Sequence, residues 1–150
     1  QLEYPPINKM NAGKIVEFDS LDADTQELIK TSVDARTYSY SPYSNFSVGA
    51  ALRCEDGTIY RGCNIENAAY SPSICAERAA IGSAVSNGHR KFIGMAVIAD
   101  LNDTFTSPCG VCRQTIIEFG DIPIFLSRSD LGTVLITSAR EILPLAFTVW

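Results

Sequence analysis

Cys75-Ala76-Glu77 and, further along, Pro108-Cys109-Gly110-Val111-Cys112 bring together three thiols and one carboxylate that could do chemistry. A structural zinc site closes its tetrahedron with four protein ligands, whereas a catalytic one holds three and leaves a position for water. Cys75, Cys109 and Cys112 supply three. Glu77, two residues past the first, can approach the open position without binding, as a general acid and base. Buried structural thiols or a redox pair are the other readings of the Cys109/Cys112 spacing, and Cys75-Ala76-Glu77 upstream favours the metal. No well-spaced fourth ligand exists: Cys63 precedes Cys75 by a loop, and His89 follows a helix-ending Asn-Gly, where it reads as solvated. That weighs against a non-catalytic zinc-binding module. Cys54 and Cys63 read as buried thiols.

Two helices must position these groups. Cys75 opens one and Cys109 and Cys112 open another, with Cys109 and Cys112 spaced to share a face of the first turn. Three thiolates outweigh the two charges of zinc, and electron-rich ligands weaken its ability to bring a bound water to a pKa of about 7. Two helix N-termini supply about half a positive charge each. Arg78 and Arg113 follow their motifs in first turns, where the dipole disfavours a cation unless an anion lies close. Arg78 is therefore expected to lie against the cysteines and support them. A solvated surface arginine is the alternative for both.

The remaining elements follow from patterning. A helix is predicted over residues 20–39 with Ser20 as N-cap, then strands over 47–54 and 58–64 joined by Glu55-Asp56-Gly57. The Cys75 helix stops at Asn87-Gly88, and the apolar run 92–99 reads as a central strand covered on both faces. A helix over 109–119, strands over 122–127 and 133–137 and a short helix over 138–143 complete the chain. This order implies an α/β fold, one mixed five-stranded sheet with helices packed on it. Strands 92–99 and 122–127, joined through a helix, should be parallel. The last two strands, separated by only residues 128–132, should be antiparallel. Residues 1–20 read as a flexible N-terminal lead-in and residues 21–150 as one domain.

Composition bounds the function. The 150 residues are 46% apolar with a net charge of −5 and a pI near 4.8. Phosphate binding rests on Lys and Arg, which form no cluster here, so a nucleic-acid partner is not expected. No apolar run approaches the roughly 20 residues a bilayer span needs. Residues 1–20 do not read as a secretory signal. An odd number of cysteines, three of them at ligand spacing, points to a reducing compartment, cytoplasmic or also nuclear.

The two zinc segments are similar to those of the zinc nucleobase deaminases. Over residues 39–147 the chain more specifically resembles the cytidine deaminase family, in its short, single-domain, homotetrameric form. The resemblance rests on Tyr40-Ser41-Pro42-Tyr43-Ser44-Asn45-Phe46, Gly62-Cys63-Asn64-Ile65-Glu66-Asn67-Ala68, the zinc segments, and Glu141-Ile142-Leu143-Pro144. It implies one Zn2+ per chain and hydrolysis of cytidine and deoxycytidine to uridine and deoxyuridine with loss of ammonia, a pyrimidine salvage reaction. Zinc-bound hydroxide would attack C4 while Glu77 shuttles protons. Asn64 and Glu66 would hold the ribose, and their alternation places both on one side of an extended segment. Phe46 would lie against the pyrimidine, and the Ala76 backbone with Glu77 would read the base edge. Tyr70 and Phe147 would reach a neighbouring subunit's pocket, although both also suit core or interface aromatics. The Gly-Pro expected after Phe147 is absent. Another small aminopyrimidine nucleoside is the alternative substrate.

Overall fold

In the computed structural model, residues 13–101 and 104–149 are described. Six strands form a single mixed sheet in the order β1-β6-β5-β4-β2-β3. They are β1 Lys14–Glu17, β2 Val48–Cys54, β3 Ile59–Cys63, β4 Phe92–Ala99, β5 Pro123–Ser127 and β6 Thr133–Ser138. The helices are α1 Ala23–Arg36, α2 Ala76–Ser86, α3 Gly110–Ile117 and α4 Ala139–Ile142. As expected, β4 and β5 are parallel and β5 and β6 antiparallel.

The expected count of five strands is corrected to six. β1 lies within residues 1–20, read as lead-in, and pairs antiparallel with β6. Its four residues, Lys-Ile-Val-Glu, are mostly exposed and too few to show a strand period; the free edge of β6 decides their conformation. Residues 1–12 lie outside the described residues. The predicted N-cap of α1 also moves. Ser20 ends a 3-10 turn and spends its hydroxyl on the Glu17 carbonyl, while the Asp22 carboxylate accepts from the Thr25 N–H at 2.9 Å.

Side-chain alternation splits the sheet into two buried faces. Ala50, Leu52 and Cys54 of β2, with Met95, Val97, Ile124 and Leu126, pack against α2, α3 and α4. Ala51, Ala96 and Val134 pack against Leu28 and Ile29 of α1 with Phe18. β4 is covered on both faces, which is why its sequence is continuously apolar.

The helices sit unusually close to the sheet where glycine permits it. A Cβ at Gly49 would lie 2.1 Å from the Ser32 carbonyl oxygen of α1, and one at Gly62 would lie 2.2 Å from that of Ala76. The start of α2 therefore rests on the backbone of β3.

Strand direction then places the helix starts. β3 and β4 both pair antiparallel with β2, so they run the same way and end at the same edge of the sheet. α2 and α3 begin in the loops that leave these two ends.

Candidate active site

Cys75 and Cys109 are the N-cap residues of α2 and α3, and neither sulfur caps its own helix. Both are left to face the point where the helix starts converge. The Sγ atoms of Cys75, Cys109 and Cys112 all lie within 4.8 Å of one another, with Cys75 and Cys109 at 3.8 Å. Two thiolates on one tetrahedral zinc, each about 2.3 Å from it, stand roughly 3.8 Å apart, so the donor set and spacing fit that ion. A hydrogen bond from Cys112 and then one from Arg78 bring the Cys75 thiol down to about 5, whereas Cys112 is pushed up by the same bond and by burial.

Arg78 does lie against the cysteines. Its Nη2 is 3.7 Å from Cys75 Sγ and 3.4 Å from the Ser73 carbonyl oxygen. Arg113 does not. Its guanidinium donates to the carbonyls of Pro108 and Ile142, each at 2.7 Å, and to Ser107 Oγ at 2.8 Å. It ties the segment before Cys109 to the end of α4.

Glu77 is only 4% exposed, in the first turn of α2. Burial raises its pKa above the usual carboxylate range, and the Cys75 charge adds to this. It lines a cavity of about 340 Å³ together with Phe46, Asn64, Glu66, Cys75, Ala76 and Cys109. That volume suits a small molecule. A larger open groove of about 850 Å³, lined by Asp24, Glu27 and Arg61 among others, contains none of these residues.

Two isolated bridges assemble the cavity. Tyr40 pairs with Ile65 and Ile65 pairs with Ile74, so three segments distant in sequence lie side by side directly before Cys75. Asn64 locks the first of them. Its Oδ1 accepts from the Val48 N–H at 2.8 Å and the Ser39 hydroxyl at 2.5 Å, and its Nδ2 donates to the Phe46 carbonyl at 2.8 Å. Glu66 accepts from the N–H groups of Tyr43 and Ser44, at 2.9 and 3.2 Å, and from the Ser44 hydroxyl. The Ser44 hydroxyl, foremost among these, holds its carboxyl below the usual range.

Residues 22–127 match the family described as the cytidine and deoxycytidylate deaminase zinc-binding region. The chain belongs to this family. The cytidine deaminase of Sporosarcina psychrophila is 51% identical over 83% of this chain and 92% of its own length. A probable cytidine deaminase of Dictyostelium discoideum is 40% identical over 83% and 84%. The cytidine deaminase structure from Burkholderia pseudomallei has a TM-score of 0.77 at 44% identity, covering 81% of this chain and 97% of that one. The resemblance read from the motifs is thereby borne out, and the chain is an enzyme, a cytidine deaminase by family. No helix among the described residues is long and apolar enough to cross a membrane.

Not every residue named from sequence reaches the cavity. Tyr70 and Phe147 are absent from its lining, and each is 76% exposed. Tyr70 holds a left-handed backbone with φ of 60°, a conformation costly for a bulky residue. His89, expected to be solvated, is instead bonded through both ring nitrogens, to Tyr60 and Asp56. The lining also includes Ser44, Thr106 and Ser107, which sequence reasoning missed. Small hydroxyl residues in loops carry no periodic signal.

Proposed function

We propose that this deaminase hydrolyses the exocyclic amine of free cytidine and deoxycytidine, giving uridine and deoxyuridine and releasing ammonia. The observation that carries this reading is one cavity shared by buried Glu77, Cys75, Phe46, Asn64 and Glu66. One zinc held by Cys75, Cys109 and Cys112 would supply Lewis-acid activation of water at neutral pH.

The chain's own residues do the rest. Glu77 takes a proton from the attacking water and passes it to ring nitrogen N3. It then takes the remaining hydroxyl proton as the C4 carbonyl forms and delivers it to the departing amine. Arg78, beside Cys75, offsets thiolate charge. The Ala76 N–H, in a first helical turn and without an intrahelical acceptor, joins Glu77 in reading the base edge. Phe46 lies against the pyrimidine. Asn64 keeps one amide hydrogen and Glu66 one lone-pair direction beyond their bonds within the chain, enough to hold the ribose 3′-hydroxyl.

Tyr70 and Phe147, exposed in a single chain, are assigned to a neighbouring subunit's pocket in a homotetramer. Leu145 and Val149, also exposed, suit the same assembly. Free cysteines at all five positions suit a reducing cytoplasm or nucleus.

The test follows ammonia release from cytidine, deoxycytidine, deoxycytidine monophosphate and adenosine, with zinc content in parallel. Turnover of the two free cytidine nucleosides is expected. Activity confined to the monophosphate or adenosine overturns the substrate reading, and zinc without any turnover supports a binding module instead.

A further inference from the structure

At the end of the sheet where the β2–β3 hairpin turns, a second group of mixed donors comes together. Cys54 Sγ, an Asp56 carboxylate oxygen and an imidazole nitrogen of His89 lie within 4.8 Å of one another. Three separate features bring them there. Cys54 is the last residue of β2, and its thiol is buried on the face that packs against α2. Asp56 sits in the turn, where its Oδ1 accepts from the Thr58 N–H at 3.0 Å, leaving Oδ2 toward the imidazole. His89 follows the end of α2 and is held there by an N–H bond to the Ala84 carbonyl oxygen.

We propose that Cys54, Asp56 and His89 form a second divalent-cation site, able to take zinc, that braces the hairpin turn to the C-terminal end of α2. Thiolate, imidazole and carboxylate are together a zinc-type donor set. His89 Nε2 and Asp56 Oδ2 stand 2.9 Å apart, close to the roughly 3.3 Å that two such donors take on one tetrahedral zinc. The other imidazole nitrogen, Nδ1, is 3.0 Å from the Tyr60 hydroxyl. Ligating histidines commonly donate that N–H to an oxygen, which fixes the tautomer.

The charges balance as well. Binding releases the Cys54 thiol proton, and one thiolate with one carboxylate cancels the two charges of zinc. Burial raises the free thiol's pKa, so the bound cation is what makes the thiolate tolerable there. The nearby Lys91 ammonium is answered by Glu55 at 3.5 Å. A fourth ligand, water, comes from a cavity of about 360 Å³ lined by Asp56 and His89. The site lies at the opposite end of α2 from Cys75 and Glu77, so its role is to stabilise.

The experiment adds zinc alone to the purified full chain already carrying zinc at the Cys75 centre, reading bound metal and thermal midpoint. A second equivalent per chain is expected to bind and raise the midpoint by about 5–10 °C at a hundredfold excess over its dissociation constant. Cobalt in the second site should add a thiolate-to-metal absorption band that Cys54→Ser lacks. Asp56→Asn, at an exposed turn position, and His89→Gln should keep the first equivalent and lose both the second and the zinc-dependent shift. Saturation of the unmodified chain at one equivalent overturns the proposal. So does a second equivalent that persists in all three variants.

Discussion

Glu77 and Arg78 are neighbours in the same helical turn, yet they face different demands. Glu77 is buried at the cavity, and removing its proton-carrying capacity leaves its shape intact in Glu77→Gln. That variant is expected to lose at least about a hundredfold in kcat while zinc at the sulfurs is unchanged, measured by turnover and metal analysis together. Arg78→Ala removes the cation 3.7 Å from Cys75 Sγ. Partners of metal ligands typically contribute about 10–100-fold to affinity, so the variant should surrender zinc to a competing chelator that much more readily. Unaltered chelator resistance and turnover would assign Arg78 to the surface. Asn64 carries a structural load that its sequence context did not reveal, because its amide joins the start of β2 to the segment after β3. Asn64→Ala strands the Val48 N–H and the Phe46 carbonyl, and should cost about 1–3 kcal/mol in urea unfolding as well as raising KM.

The elements that matter most are β3 and the helix resting on it. Ala76, Ala80 and Ala84 of α2 are fully buried, and Gly62 lets the helix backbone touch the strand. Gly62→Ala forces a Cβ to within 2.2 Å of the Ala76 carbonyl oxygen unless α2 moves. Overpacking of this kind costs about 1–3 kcal/mol. Because Cys75 and Glu77 ride on that first turn, turnover should fall together with the thermal midpoint. A variant with wild-type kcat would show that the start of α2 can shift without disturbing the centre. Two differences from expectation also arise at the level of elements. β1 exists because β6 offers an edge, and α1 starts at Ala23 because Asp22, not Ser20, faces the first free N–H groups.

Across the whole molecule, stability should depend on several carboxylates held below their usual range. Glu66 is held down chiefly by the Ser44 hydroxyl, Asp100 by the Ser129 hydroxyl and Asp22 by the Thr25 N–H. A depressed folded pKa means the unfolded chain takes up protons first as pH falls. Their contribution is therefore complete above the ordinary carboxylate range, about 4, and is lost as pH drops through the lower folded values. Urea midpoints taken from pH 6 down to pH 2.5 should decline over the acid end. A flat profile there would mean that these bonds do not favour the folded state.

Much of the molecule is legible in its sequence. Short-range spacing placed Cys109 and Cys112 on one turn, the apolar run of β4 marked a strand covered on both faces, and segment lengths dictated which strands run parallel. These are properties of neighbouring residues, and local geometry alone decides them. The convergence of α2 and α3, expected from the shared ligand set, is brought about by the common direction of β3 and β4. The double duty of Asn64 and Glu66, the capture of β1 by β6 and the meeting of His89 with Asp56 and Cys54 depend on partners far away in the chain. Such contacts leave no periodic trace in sequence, so three thiols and a carboxylate could announce a metal-assisted hydrolysis while the walls around them waited on tertiary structure.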